Sequence, residues 1–169
     1  PGSVIAVGVL IPLTRLDHWL IVFWQEWFGV NPGLLLTGGI AGLVYAYLVR
    51  FLAVALQSVS TSLGRITPSM DEAARSLGLK PGEVLHRVHL PLLRGSLLTA
   101  GLLVFVDVMK ELPATLVMRP FNFDTLAVIA NNYALDERLG QAGLPSLIVV
   151  ALALGPVIWL SRRIAAVRP

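Results

Sequence analysis

The sequence predicts an all-α membrane protein, a polytopic helical bundle with about four transmembrane helices. Its 169 residues are 56% hydrophobic and only 14% charged, whereas a soluble domain usually carries about 25% charged residues. The charged residues gather in short stretches between long apolar runs, and the mean hydropathy is +0.77. Composition and pattern together place the chain in the membrane class, with the lipid bilayer as its surroundings.

Four apolar segments supply the predicted crossings, since a helix needs roughly 20 apolar residues to span a bilayer. Uncharged runs at 27–49 and 139–161 meet this length. Pro32-Gly33 is a typical helix start, which moves the beginning of the second crossing to residue 33. The first crossing is short, so we interpret the sequence as a fragment whose first helix is truncated. The predicted spans are 1–14, 33–56, 95–113 and 139–161.

The connections between the spans differ in character. Arg15 to Asn31 mixes charges with tryptophans, which favours a short helix lying at the membrane interface. The long polar loop covers 58–94, a third connection covers 118–138, and a tail covers 164–169.

The positions of Lys and Arg predict the orientation. The opposite side of the membrane holds Arg15, Arg119 and Arg138. Nine of the 13 basic residues lie in the polar loop, its flank or the C-terminal end, which places these parts in the cytoplasm: Arg50, Arg65, Arg75, Lys80, Arg87, Arg94, Arg162, Arg163 and Arg168.

Several function classes find no support in the sequence. The chain has no cysteine, which excludes disulfides, thiolate catalysis and cysteine-ligated metals. It also has no HExxH zinc motif, no Gly-x-Ser-x-Gly elbow and no phosphate-cradling loop, so we expect no catalytic residues. The basic residues flank apolar runs without forming basic-aromatic clusters, so nucleic acid is not an expected partner. His86 and His89 lie three residues apart, but no further donors are arranged to make a metal site.

The polar loop has the pattern of two short helices joined by a corner. Ser69 stands three residues before Glu72, which is the spacing of a capping box. Gly78 suits the end of this first helix, where positive φ is needed. A second short helix follows from Glu83 to His89, and Pro91 closes the unit. From these residues alone, the loop is either a docking surface or an ordinary helical connector.

The spacing within this loop is specific. Glu72-Ala73-Ala74 is followed after three residues by Gly78, and after nine more by Val88-x-Leu90-Pro91. It resembles the "EAA" loop of bacterial ABC-transporter permeases, whose pattern is Glu-Ala-Ala, three residues, Gly, nine residues, Ile-x-Leu-Pro. The one departure is valine for isoleucine at position 88. The stretches at 90–94, 106–115 and 119–127 look like the iron(III) permease branch of that family.

The resemblance implies a type I ABC permease (MetI-like) fold in the bacterial inner membrane. It implies that an ABC ATPase subunit dimer docks on the loop, and that a periplasmic solute-binding protein meets the other side. A second permease half, upstream in the same chain or in another subunit, is also implied. The chain itself is expected to bind no cofactor, because the partner subunit uses the ATP. The implied docking residues are Glu72, Ala73, Ala74, Gly78, Leu90 and Pro91.

The third crossing contains charges. Asp107, Lys110 and Glu111 stand at i, i+3 and i+4, which predicts a shared helical face. Unpaired charge at the bilayer centre costs about 2.5–3.5 kcal/mol per residue, so we expect Asp107 to pair with Lys110 and Glu111 with Arg50. Two interpretations stay open. The charges form a translocation path or gate, or they form a structural ion pair near the outer interface.

The resemblance favours a permease for ferric iron. A permease for another solute, such as thiamine or a small anion, is the alternative within the same class. A membrane-embedded enzyme or a structural anchor is the alternative from a different class, although an anchor leaves the patterned loop and the intramembrane charges unexplained.

Overall fold

The computed structural model describes the backbone of residues 2–167 and the side chains of residues 2–162, so Arg163 and Arg168 of the charge count lie outside the described side chains. Eight α-helices and one π-helical turn make up the regular structure of this part of the chain, which contains no strand. They are α1 (Gly2–Phe28), α2 (Ile40–Leu63), α3 (Pro68–Ser76), α4 (Pro81–Val84), the π turn (Leu85–His89), α5 (Leu90–Met109), α6 (Pro113–Met118), α7 (Leu126–Leu135) and α8 (Leu139–Val167).

Four helical segments are long and apolar enough to cross a membrane, which confirms the predicted all-α fold with four crossings. They are Gly2–Phe28, Ile40–Leu63, Pro81–Met109 and Leu139–Arg162. Little of each segment is buried inside the protein, so most of these apolar side chains face outward. That arrangement suits a solvent of lipid rather than water.

The first helix is longer than the sequence predicts. The predicted crossing stops at Thr14 and leaves a separate surface helix from Arg15, but α1 continues unbroken to Phe28. Two features of the structure explain this. The charge of Asp17 is fully hydrogen-bonded, and the rings of Trp19, Phe23 and Trp27 stack at four-residue spacing along the helix.

The third crossing also differs at both ends. A continuous helical segment runs from Pro81 to Met109, so Pro91 does not close the loop as predicted. The chain leaves the helix after Met109, before the predicted limit at residue 113. Pro113 then opens α6 at its first turn, a position where the missing backbone N–H of proline removes no helical bond.

The described chain divides into two units. Unit 1 comprises the residues up to Phe51 together with Asp107–Ala153, and its core packs α1 against α6. Three alanines of this core are fully buried, which permits close approach of the helix backbones. The buried core residues are Ala6, Val9, Leu43, Ala46, Ala114 and Met118.

Unit 2 comprises Leu52–Val106 together with the residues from Leu154 onward. It contains the whole polar loop at 58–94. The hydroxyl groups of Ser62 and Ser96 are hydrogen-bonded, which ties α2 to α5 within this unit. Its buried apolar residues in the loop are Ala74, Val84 and Leu93.

Candidate docking loop and intramembrane charges

The first helix of the loop begins earlier than predicted. Thr67 is the N-cap of α3 and Pro68 occupies the first turn, whereas Ser69 was the expected cap. The fixed φ of proline favours the first helical position, which places Ser69 inside the helix. Its hydroxyl contacts the Thr67 hydroxyl at 2.9 Å. The predicted capping box between Ser69 and Glu72 is therefore wrong, and the Glu72 carboxylate is free of that local role.

The corner after α3 agrees with the prediction. Gly78 has a φ of +82°, a conformation that residues with a Cβ rarely adopt. Its N–H donates to the Arg75 carbonyl at 2.9 Å, and the Leu79 N–H donates to the Ala74 carbonyl at 3.2 Å. These two bonds are those of a Schellman motif. The last carbonyls of α3 are thus satisfied, and the direction of the chain is fixed.

The second helix of the loop, α4, begins directly after the corner at Pro81. The Lys80 N–H donates to Glu83 Oε2 at 2.9 Å, and Pro81 stands at the first turn of α4. Since both sides of the corner are capped, α3 and α4 form a defined pair, and α3 contacts α4. We call residues 68–84 the corner pair.

The six predicted docking residues occupy three different positions. Glu72, Ala73 and Gly78 are exposed on the corner pair. Ala74 is only 5% exposed and Val84 only 4%, so Ala74 belongs to the inner side of the pair. Leu90 and Pro91 lie outside the corner pair, at the start of α5, and both are exposed.

An exposed leucine adds to the candidate surface. Leu77 is 83% exposed and lies directly before the corner glycine. The sequence predicts that Ala73, Ala74 and Leu77 form one apolar face that enters a groove on a partner. The exposure of Leu77 agrees with this prediction, whereas the burial of Ala74 contradicts it. Leu77 stands at the C-cap, where the helical pattern stops predicting which way a side chain faces.

A side-chain bond joins the two ends of the loop. His89 Nε2 lies 2.6 Å from Asp71 Oδ1. Asp71 is in the first turn of α3, and His89 is the last residue of the π turn. The sequence singled out His89 only as a poor candidate for a metal ligand. Eighteen residues separate the partners, so no local pattern reveals the pair.

The π turn explains how the helix passes Pro91. The Leu90 N–H donates to the Leu85 carbonyl, five residues back. Such a turn inserts one extra residue into the helix and changes the register of its hydrogen bonds. Pro91 lacks an N–H and its ring crowds the preceding turn in a regular helix. The wider turn relieves that conflict, so the helix continues into α5.

In unit 1, Glu111 is paired as the sequence predicts. Arg50 Nη2 lies 2.8 Å from Glu111 Oε2, and the glutamate side chain is 5% exposed. The Ala114 N–H donates to the other carboxylate oxygen at 3.0 Å. Both oxygens of Glu111 thus have a partner, and one of them caps the start of α6.

The ion pair of Lys110 with Asp107 is more exposed than that of Arg50 with Glu111. Lys110 Nζ lies 3.0 Å from Asp107 Oδ1, and the lysine side chain is 67% exposed. The predicted shared helical face is wrong, because the helix ends at Met109 and leaves Lys110 and Glu111 beyond it. Lys110 is exposed while Glu111 is buried.

The sequence analysis gave no role to Asp17, a charged residue within α1. Asp17 is fully buried in α1, and its carboxylate accepts the N–H groups of Leu35, Leu36 and Thr37 at 2.7–3.1 Å. The Thr37 hydroxyl donates to the same carboxylate at 2.6 Å. Asp17 therefore holds the connection between α1 and α2 in place.

Asp17 and Glu111 make contacts that hold neighbouring segments of the chain in place. Both carboxylate oxygens of Asp17 accept hydrogen bonds, and each carboxylate oxygen of Glu111 has a partner. In the part of the chain that the structure describes, no group of three or more His, Asp or Glu side chains could hold a metal ion. The loop offers a surface, and the intramembrane charges are paired.

Comparison with known proteins finds transport permeases. No family model matches the chain. It is 27% identical over 120 residues to the Fe(3+)-transport system permease protein FbpB 2 of Haemophilus influenzae, a match covering 71% of this chain and 24% of that protein. It is 32% identical over 117 residues to a Salmonella typhimurium permease named for 2-aminoethylphosphonate transport, covering 69% of this chain and 44% of that protein.

A third relative covers nearly the whole chain. The trehalose transport system permease protein SugB of Mycobacterium tuberculosis is 23% identical over 171 residues, covering 98% of this chain and 62% of that protein. The chain spans about a quarter of the length of the ferric relative. The names of the three relatives share the word permease and differ in solute.

Proposed function

We propose that this chain, a homologue of bacterial ABC-transporter permeases, forms part of the membrane path of an ATP-driven importer and docks an ATPase through the loop at 58–94. The main support is the loop itself. Its family spacing coincides with a capped corner, in which Gly78 has the positive φ that the pattern requires of a glycine.

The corner pair suits a docking role physically. Glu72 offers a polar contact, while Ala73 and Leu77 offer a small apolar surface beside it. Because two backbone hydrogen bonds close the corner around Gly78, the surface is preformed and little conformational entropy is lost when a partner binds. In this proposal, closure of the ATPase dimer moves the corner pair, and the spanning helices respond by opening to the other side.

The proposed solute is ferric iron. The stretches at 90–94, 106–115 and 119–127 favour the iron branch, and the ferric relative supports it. A small phosphonate anion is the second candidate, because the relative named for 2-aminoethylphosphonate has the higher identity.

The proposed orientation places the loop and the C-terminal end in the cytoplasm of a bacterium and the connection after α6 on the outer side of the inner membrane. The supporting observation is the distribution of basic residues. The outer connection holds Phe121, which is 94% exposed, and the ion pair of Arg119 with Asp124. A solute-binding protein would meet the importer on this side.

The intramembrane charges divide into two roles in this proposal. Asp107 and Lys110, which are partly exposed, are candidates for the translocation path. Arg50 and Glu111 act at a gate by fixing the break between α5 and α6, since non-helical backbone at membrane depth must be held by protein groups.

The experiment is co-purification followed by uptake. The full-length protein is expressed with its candidate ATPase and solute-binding protein, and the complex is reconstituted in vesicles. ATP-dependent uptake of labelled Fe(III) supports the iron proposal. Uptake of labelled 2-aminoethylphosphonate without uptake of iron would favour the second candidate. A complex that contains no ATPase subunit would overturn the docking proposal.

A further inference from the structure

The hydrogen bond between Asp71 and His89 has no part in the proposed docking of the ATPase. α3, which carries the proposed docking residues, is connected along the chain to α5 through the corner, α4 and the π turn. Asp71 in the first turn of α3 bonds directly to His89 at the far end of the π turn, at 2.6 Å. The bond therefore bypasses the corner and the turn.

The segment that it bypasses is the least constrained part of this connection. The five residues of the π turn include none that is buried. The backbone hydrogen bond of this turn reaches five residues back instead of four. Pro91 follows shortly after the turn and has no N–H to donate to the backbone. A helix bends most easily at such a place. The corner, by contrast, is closed by its own capping bonds.

The partial burial of Asp71 and His89 strengthens the hydrogen bond between them. The side chains of His89 and Asp71 are 19% and 35% exposed, so water competes only partly for the bond. A hydrogen bond to a carboxylate is among the stronger kinds in proteins. His86, in the same π turn, is exposed and provides a natural comparison.

We infer that Asp71 and His89 are positioning residues that transmit displacement of the docked α3 to α5, so that ATP hydrolysis drives solute movement instead of bending the π turn. This inference rests on the proposed docking of the loop. It assigns the pair no contact with ATP, ATPase or solute.

The test measures coupling in the reconstituted full-length transporter. Uptake and ATP hydrolysis are measured in the same vesicles for Asp71→Ala, His89→Leu, the double variant and the control His86→Leu. Loss of one hydrogen bond to a charged group predicts that each single variant lowers the solute transported per ATP by about tenfold or more. The double variant should be no worse than either single one, because partners of one bond are not additive. His86→Leu should match the unmodified protein.

Two further variants separate transmission from folding. His89→Gln keeps an N–H donor and should restore most of the coupling. The exchange Asp71→His with His89→Asp restores a pair with the partners reversed. Unchanged coupling in both single variants, or additive losses in the double variant, would overturn the inference. So would single variants that fail to assemble and are not rescued by either of these two.

Co-purification of the ATPase subunit is recorded for every sample. If the ATPase is absent from the unmodified complex, the docking proposal fails. If the ATPase is bound and the Asp71→Ala and His89→Leu variants transport normally, only the positioning role fails.

Discussion

Arg50 of α2 and Glu111 of the break after α5 lie 2.8 Å apart and bring together segments that are distant in sequence. The carboxylate also accepts the Ala114 N–H at 3.0 Å, and the Glu111 carbonyl accepts the Thr115 hydroxyl at 2.7 Å. Tyr47 of α2 contacts the Thr115 hydroxyl at 2.5 Å. A small polar network thus holds α6 against α2.

Replacing Glu111 with glutamine should destabilise unit 1. The substitution leaves Arg50 without a counter-charge in a largely buried position, and breaking such a pair costs about 3–5 kcal/mol. Thermal unfolding of the detergent-solubilised protein, followed by tryptophan fluorescence, measures the effect. The double variant Arg50→Met, Glu111→Met should recover part of the loss, because it removes both charges.

The same variant also tests the gate. If Glu111→Gln assembles normally and transports at the rate of the unmodified protein, Glu111 has no part in a path or gate. A lower transport rate in fully assembled complexes would support the gate.

Replacing Gly78 with valine should uncouple ATP hydrolysis from uptake. An added Cβ meets no atom within 4 Å, so the effect arises from backbone strain alone, about 1–3 kcal/mol for a residue held at an unfavourable φ. Gly78→Asn is the matched control, because asparagine tolerates the left-handed conformation better than valine. Equal transport per ATP in the valine variant and the unmodified protein, with normal membrane insertion, would contradict this prediction.

Replacing Asp17 with asparagine should lower stability by about 1–3 kcal/mol, since the amide group turns a donor toward a site built from donors. Thr37→Val removes a single hydroxyl donor and should have a smaller effect. The unfolding temperature of both variants in the same detergent measures the difference. An Asp17→Asn protein that unfolds at the normal temperature would show that the turn at 35–37 does not need the charge.

The orientation can be read by cysteine labelling, because these 169 residues contain no cysteine. Leu77→Cys and Phe121→Cys each place a thiol at a highly exposed position, 83% and 94% for the native side chains. A membrane-impermeant thiol reagent applied to cells with a permeabilised outer membrane should label position 121 and spare position 77. Inside-out vesicles should give the reverse, and the opposite pattern in both preparations would invert the proposed topology.

The ion pairs near Glu111 could be predicted from the sequence, but their geometry could not. The pairs Asp107–Lys110 and Arg50–Glu111 followed from the need to neutralise charge in a bilayer, and both are present. Their arrangement on one helical face was wrong, because the helix stops at Met109. Pro113 at the first turn of α6 leaves residues 110–112 outside both helices, and periodicity holds only within a continuous helix.

In the polar loop, too, one feature could be predicted from the sequence and another could not. The corner at Gly78 could be predicted, because a positive φ is a local property that favours one residue type. The continuation of the helix through Pro91 could not. The continuation depends on the π-helical turn at 85–89, and no pattern of residue types predicts such a turn.

The sequence by itself determined the apolar spans, the corner glycine and the family spacing of the loop, since these depend on composition and on neighbours along the chain. The tertiary structure alone decided that Asp17 caps a distant turn, that Ala74 faces inward while Leu77 is exposed, and that Asp71 binds His89. The physical reason is distance. A hydrogen bond forms between atoms within about 3 Å, and only folding brings such partners together.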